Sequence, residues 1–442
     1  MSRTLLDQAR DVIRRAQKRG AQGVRASVYR SRRSRIEWRD GKLDRLREST
    51  RMGLGVTLFV DGRYSSNSTS DLRPEAIDRF LEETIAVTRV LAKDKHRVLA
   101  DPSRYTGRFQ GDLKLYDGAG IAAVNATERQ NAVKALEAAA RGAPGSDKIV
   151  SVSSSCSDSA GESALVCSNG MEGSRQAGTF VIYALVYVRD AGHRKPVGWW
   201  YAVERRRSKL PSFSSVGQEA TRRALVGIGA KPEKSGMFPC IIENTVASRL
   251  FGGLLSPLYG RSIQQKRSFL AGKIGKQITS PLLSITDTPH LPFGLGSGTY
   301  DQEGMSTRKM PLFDKGVLKT YLLDTYYASK LGLPPTAGST SNLVFSTGKR
   351  DLKKLLQAMG TGVLITGFSG GNSNSATGDF SIGIRGQWIE KGRPTRAVSE
   401  MNLAGNHLSF WKQLRELGND PFPYSSMRIP SLRFGEVQFS GT

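Results

Sequence analysis

Apolar positions recur along the chain in two rhythms. Leu5, Leu6, Ala9, Val12, Ile13 and Ala16 fall on one face at helical spacing and predict a helix over residues 2–19. Ala26, Val28 and Tyr29 alternate instead, pass through a basic run, and resume at Ile36 and Trp38. Asp40-Gly41 then predicts a hairpin turn and antiparallel pairing. Arg51–Val60 reads as a strand with small residues, and Asp61-Gly62 turns it into Arg63–Ser70. Asp71 is the expected N-cap of a helix that starts near Pro74 and buries Ile77, Phe80, Leu81 and Ile85.

A connector over residues 94–112 leads to a second round of the same pattern. Ala122–Arg141 predicts a helix ended by Gly142-Ala143-Pro144-Gly145. Strands follow at Ile149–Ser155, Ser163–Cys167 and Thr179–Val188, with a turn at Asn169-Gly170. A helix over Gly217–Ile228 closes the unit. Beyond the linker Lys231–Gly236, strands and turns dominate, with helices at Thr245–Leu255, Asp324–Leu331 and Asp351–Met359. The expected fold class is therefore α+β. The N-terminal half is two helix-plus-antiparallel-sheet units, residues 1–110 and 111–229. The C-terminal half, residues 230–442, is rich in strands with a few helices.

The most unusual composition lies between Gly360 and Asn406. Val363–Thr366 predicts a strand, a loop crowded with Gly, Ser and Asn follows, and Phe380, Ile382 and Ile384 alternate in the next strand. Gly367-Phe368-Ser369-Gly370-Gly371 fits the G-x-S-x-G pattern of a serine hydrolase, and Ser369, Asp379 and His407 follow the hydrolase order. A nucleophile elbow needs a helix after the serine, and Gly371–Gly378 is a poor helix former. The loop reads better as a glycine-rich connection. Alternatively, Ser369, Gly370, Gly371, Asn372, Ser373 and Asn374 line a path that holds an extended peptide through main-chain hydrogen bonds.

Charge adds a second possibility. The 442 residues carry a formal net charge of +26. Such a surface attracts polyanions, although no zinc-finger spacing or RNA-binding aromatic motif accompanies it. A basic surface without a dedicated nucleic-acid site explains the charge more readily. Three cysteines, Cys156, Cys167 and Cys240, suit a reducing compartment and read as small buried residues. Neither they nor the four histidines have metal-ligand spacing. No stretch has the ~18–20 apolar residues of a membrane span, and the N-terminus lacks a signal-peptide core, so a cytoplasmic protein is expected. Asp301 and Glu303 read as solvated turn acids rather than an acid/base pair. Trp199-Trp200-Tyr201 reads as core more readily than as a contact surface. His407 reads as a helix-start or packing residue.

Several phrases resemble the TldD/PmbA family, specifically its TldE (PmbA) branch. They are Arg51–Leu72, Ser168–Arg175, Ser268–Gln277, Asp301–Thr307, Val317–Leu333, Met359–Gly362, Gly378–Gly386, Val398–Asn406 and the tail from Gly418 to Gly441. The resemblance implies two lobes and a soluble TldD–TldE complex that degrades or trims unfolded peptides. In the TldD branch it implies a helix bearing H-E-x-x-x-H and a late cysteine as third zinc ligand, with the carboxylate taking a proton from bound water. The equivalent helix here, Val246–Gly260, has Gly252, Gly253 and Pro257 in that region. No histidine in the chain is followed by glutamate, and no cysteine follows Cys240. The expectation is a chain without catalytic residues, cofactor or metal of its own. Its partner would be a zinc-bearing TldD-like subunit, or else a second copy of itself.

Overall fold

A computed structural model describes residues 4–441. The first unit runs α1 (Leu5–Lys18), β1 (Gly23–Arg39), β2 (Lys42–Val60), β3 (Arg63–Thr69) and α2 (Pro74–Val90). α1 carries the apolar stripe read from the sequence, burying Ala9, Val12, Ile13 and Ala16, with Thr4 as its N-cap. Residues 2 and 3 of the expected helix lie outside the described residues. Asp40 and Gly41 both take positive φ, 48° and 80°, as a two-residue hairpin turn requires. The N-cap of α2 is Arg73, not Asp71; the Asp71 carboxylate accepts from the Arg73 N–H two residues on instead.

The second unit runs α3 (Gly118–Ala123), α4 (Ala126–Arg141), β4 (Ile149–Cys167), β5 (Glu172–Val188), β6 (Val197–Glu204) and α5 (Phe213–Leu225). Two segments read as interrupted are continuous strands. The basic run Arg30–Arg35 is the middle of β1, with Ser34 and Ile36 buried while Arg32, Arg33 and Arg35 point to solvent. The serine-rich run Ser153–Glu162 is the middle of β4. The six strands form one sheet in the order β3-β2-β1-β4-β5-β6, so β1 and β4 pair over their length and join the two units. A buried pair braces this sheet. The Arg129 guanidinium donates to both oxygens of Asp158, at 2.5 and 3.0 Å, and both residues are almost fully enclosed.

The rest of the chain starts with β7 (Gly236–Ile242), α6 (Ala247–Leu255), α7 (Gly260–Gln264), β8 (Ile285–Asp287), β9 (Met310–Asp314), β10 (Val317–Leu318), α8 (Thr325–Leu331), β11 (Leu343–Phe345) and α9 (Leu352–Met359). It ends with β12 (Gly362–Ser373), β13 (Asp379–Glu390), β14 (Arg393–Asn406), α10 (His407–Phe410), β15 (Leu414–Leu417), β16 (Met427–Arg428) and β17 (Leu432–Ser440). Asp324 and Asp351 cap α8 and α9 with their carboxylates. One sheet has the order β14-β13-β12-β7-β17-β15, and a further β14–β17 pairing closes its first five strands on themselves. A smaller sheet has the order β10-β9-β8-β11-β16. α6 buries Ala247, Leu250, Phe251, Leu254 and Leu255 in the large core of this half. That burial fixes which face of α6 remains open.

Candidate functional site

The open face of α6 presents Gly252 and Gly253, the positions where the family resemblance raises a metal site. A methyl group on Gly252 would meet nothing within 4 Å. On Gly253 it would lie 2.2 Å from His407 Nε2 and 2.7 Å from Ser373 Oγ. The helix thus lacks a side chain where the imidazole of His407 sits. His407 opens α10 behind its N-cap Asn406, as its sequence context predicts, and is fully buried. Its ring stacks on Phe380 at 4.6 Å and faces Phe269 at 5.9 Å.

Hydrogen bonds fix the state of this ring. The Trp411 indole N–H donates to Nδ1 at 3.2 Å. Indole is only a donor, so Nδ1 is an acceptor and the neutral ring carries its proton on Nε2. Nε2 is 2.8 Å from Ser373 Oγ and donates to it. Burial lowers the pKa of His407 to about 4, so the ring is neutral near pH 7. A serine nucleophile needs a base that accepts its proton. His407 faces Ser373 as a donor, so the pair is a packing device and not an activated nucleophile.

The residues Ser369–Asn374 lie at the adjoining end of the β12–β13 hairpin. They were expected as a loop, but β12 continues through Ser373, and the turn falls at residues 374–378. Gly370 and Gly371 supply the bulge in the β12–β13 pairing, with φ of 58° and 73°. Ser369 pairs with Gly383 inside the ladder. The series Ser369, Asp379, His407 does not converge: His407 bonds Ser373, and Asp379 accepts from the Asn406 amide at 2.9 Å. The hydrolase reading of Ser369 is therefore corrected, because the chain stays extended where an elbow would turn. Ser369, Gly370, Gly371, Asn372 and Asn374 are exposed and Ser373 is half-buried.

These residues do not fit a zinc ion. α6 offers two glycines, both nitrogens of His407 are engaged, and Cys240 is enclosed in β7. Among the described residues, no three His, Cys, Asp or Glu side chains are grouped to hold a metal.

A second feature lies between the two halves. A cavity of about 450 Å³ is walled by the sheet strands β1 to β5 on one side and by residues 287–310 and 336–341 on the other. Small polar residues line the sheet wall: Ser27, Gly55, Thr57, Ser66 and Ser163. Asp301 and Glu303 stand at this cavity and the recess beside it. Asp301 caps its own turn, Glu303 reaches the first N–H of α8, and both are half-buried rather than fully solvated. The Asp301 carboxylate accepts from the N–H groups of Glu303 and Met305, and Glu303 accepts from the N–H and hydroxyl of Thr325. Burial, then the neighbouring Glu303, pushes Asp301 up to about 6. Sequence reading missed this cavity. Its one signal was the concentration of Ser, Thr and Gly at facing positions, such as Ser27 opposite Gly55 and Thr57 opposite Ser66. Trp199 lines a separate cavity of about 450 Å³, while Trp200 and Tyr201 pack on Phe422; all three are half-buried.

Three family models match the chain in order. They are PmbA/TldA metallopeptidase domain 1 over residues 24–88, the central domain over 120–228 and the C-terminal domain over 235–441. The chain belongs to the PmbA/TldD family. The Haemophilus influenzae relative named metalloprotease PmbA homolog is 30% identical over 88% of this chain and 85% of its own length. A Bacteroides thetaiotaomicron protein, named as a candidate modulator of DNA gyrase, is 41% identical with a TM-score of 0.94, covering 98% of both chains. TldE from Thermococcus kodakarensis shares the fold, with a TM-score of 0.88 at 20% identity, covering 98% of this chain and all of its own. PmbA/TldD membership thus agrees with the resemblance carried by the sequence phrases, and the α+β architecture with the strand-rich C-terminal half is the family's fold. Among the described residues no helix is long and apolar enough to cross a membrane.

Proposed function

We propose that this chain is the non-catalytic, TldE-like subunit of a two-component zinc peptidase, shaping a cavity for unfolded peptides beside a metal-bearing TldD-like partner. The observation that carries the reading is α6: it carries two glycines, and Gly253 faces a neutral His407 whose nitrogens are both engaged. The chain has the family's fold without a donor set for the family's metal. The name metalloprotease among its relatives supports a role in peptide breakdown. The exposed, bulged end of β12, Ser369–Asn374, offers main-chain groups to an extended peptide. Three unpaired cysteines suit a reducing compartment such as the cytoplasm.

The test is hydrolysis of unfolded peptides by the chain alone and after mixing with an H-E-x-x-x-H family member. Cleavage only in the mixture, abolished by chelator, is expected. Efficient, chelator-sensitive cleavage by this chain alone would overturn the reading. Light scattering on the same samples separates a heterodimer from a dimer of identical chains.

A second reading, polyanion binding, is favoured by the β1–β2 hairpin, which exposes Arg30, Arg32, Arg33, Arg35, Arg45, Arg47 and Arg51. It requires duplex DNA binding at low salt that weakens steeply as salt rises.

A further inference from the structure

Three arginines gather beside the interlobe cavity, and none of them forms an ion pair among the described residues. Arg205 is only 9% exposed. Its two terminal nitrogens donate to the carbonyls of Gly178 and Leu295, at 3.0 and 2.7 Å, and its buried Nε has no partner. Arg108 donates to the Glu172 carbonyl at 2.7 Å and lies 5.0 Å from the Tyr300 ring; its Nε is also buried and unpartnered. Arg175, exposed on β5, makes none of the ion pairs found among the described residues, and neither do Arg108 and Arg205. The Glu172 carboxylate, three residues before Arg175, is held by Arg10. Burial, then the charge of Arg175, lowers the pKa of Arg205. Carbonyl dipoles satisfy some of these donors, but they do not cancel the charges. A buried guanidinium without a counter-charge is costly.

Arg175 and Arg205 open onto a cleft of about 690 Å³ lined also by Lys114, Arg206 and Phe293. Two carboxylates also line it, outnumbered by the four basic side chains Lys114, Arg175, Arg205 and Arg206, and both accept from backbone. Asp112 accepts from the Lys114 N–H, and Asp117 accepts from the N–H groups of Gly120 and Arg207. Lys114 and Phe293 hold φ of 51° and 59°, so both walls keep an unfavoured backbone. Arg175 and Gly298 line this cleft and the interlobe cavity alike, so the two spaces adjoin.

We infer that this cleft is a carboxylate subsite for an extended peptide whose remaining length lies in the interlobe cavity. This rests on the peptide-cavity reading above. Arg175 supplies the fork of donors, which suits a planar carboxylate, and enclosed Arg205 supplies a fixed positive field. A peptide is favoured over nucleic acid by the inner cavity. Asp287 and Asp301 line it and would repel a continuous polyanion but accept peptide N–H groups. The carboxylate is either the peptide's C-terminus or an acidic side chain.

Fluorescence anisotropy on the purified chain tests the inference. The probe is one unfolded peptide labelled at its N-terminus, in three forms: free C-terminus, C-terminal amide, and amide with one internal glutamate. At least one carboxylate form should bind about 10- to 100-fold more tightly than the plain amide, and which form gains identifies the source. The advantage should vanish in R175Q and return in part in R175K. Arg175 is exposed, so the urea midpoint of R175Q should stay that of the parent. Equal binding of all three forms, an advantage that survives R175Q, or no peptide binding overturns the inference. Tighter binding of duplex DNA than of any peptide, lost in R175Q, overturns it in favour of nucleic acid. Equal binding of all forms would leave the peptide-cavity reading standing, because that reading is decided separately by hydrolysis with the metal-bearing partner.

Discussion

Replacing Gly253 with alanine should unfold the chain at a lower urea concentration than the same change at Gly252. Both glycines sit inside α6, so each alanine gains about 1 kcal/mol of helix propensity. The surroundings then separate them. At Gly252 the new methyl meets nothing, and the variant should be more stable by about 0.5–1 kcal/mol. At Gly253 it would stand 2.2 Å from His407 Nε2, more than an ångström inside ordinary contact. The ring has little room to retreat: Phe380, Phe269 and the fully buried Trp411 surround it. Overpacking costs about 1–3 kcal/mol. Loss of the His407–Ser373 bond adds about 0.5–1.5 kcal/mol. After the propensity gain, Gly253→Ala should destabilise by about 0.5–3.5 kcal/mol. The assay is urea denaturation followed by tryptophan fluorescence, comparing midpoints at similar slopes. A Gly253→Ala midpoint equal to or above that of Gly252→Ala would refute the claim that His407 fills the space over this helix.

The remaining predictions concern pH and buried charge. His407 titrates near 4 when folded and near 6.5 when unfolded, so the unfolded chain binds the extra proton between these values. Its contribution, up to about 3 kcal/mol, is present above pH 6.5 and is lost as pH falls to 4; His407→Gln should flatten stability across that window in denaturation at stepped pH. Asp301 has the opposite sign: its folded pKa, about 6, lies above the unfolded value, so its ionisation costs stability as pH rises through 6. Asp301→Asn keeps the acceptor oxygen and should gain stability relative to the parent at pH 8 but not at pH 4. Asp158→Ala strands the enclosed Arg129 and should cost about 3–5 kcal/mol in the same urea assay. A fluorophosphonate probe should label neither Ser369 nor Ser373; labelling abolished by Ser373→Ala would contradict the assigned His407 tautomer.

The parts of this fold that local chemistry dictates were legible in the sequence. α1 could be read from its apolar stripe and the Asp40-Gly41 and Asp61-Gly62 hairpins from turn chemistry, and α8 and α9 lie within the spans expected for them. What escaped depended on partners distant in the chain. Ser153–Glu162 has little strand propensity, yet it lies between β1 and β5, with Ser154 bonded to the Val133 carbonyl and Asp158 to Arg129. The arginines of β1 resemble a solvated loop until β2 and β4 supply the ladder on either side. The same holds at the site. The glycines of α6 and the burial of His407 could be argued from sequence, but not that the one makes room for the other, because 154 positions separate Gly253 from His407. Asp301 looked like a solvated turn acid because its desolvation comes from the facing sheet, which no local pattern records.

The central claim is that the metal chemistry belongs to another chain, and zinc stoichiometry tests it most directly. The purified chain, a TldD-like H-E-x-x-x-H subunit and their complex would each be dialysed against zinc and assayed by elemental analysis. This chain should hold no zinc above the buffer blank, and each partner subunit one tightly held ion, unchanged in the complex. One equivalent of zinc held by this chain alone would contradict it.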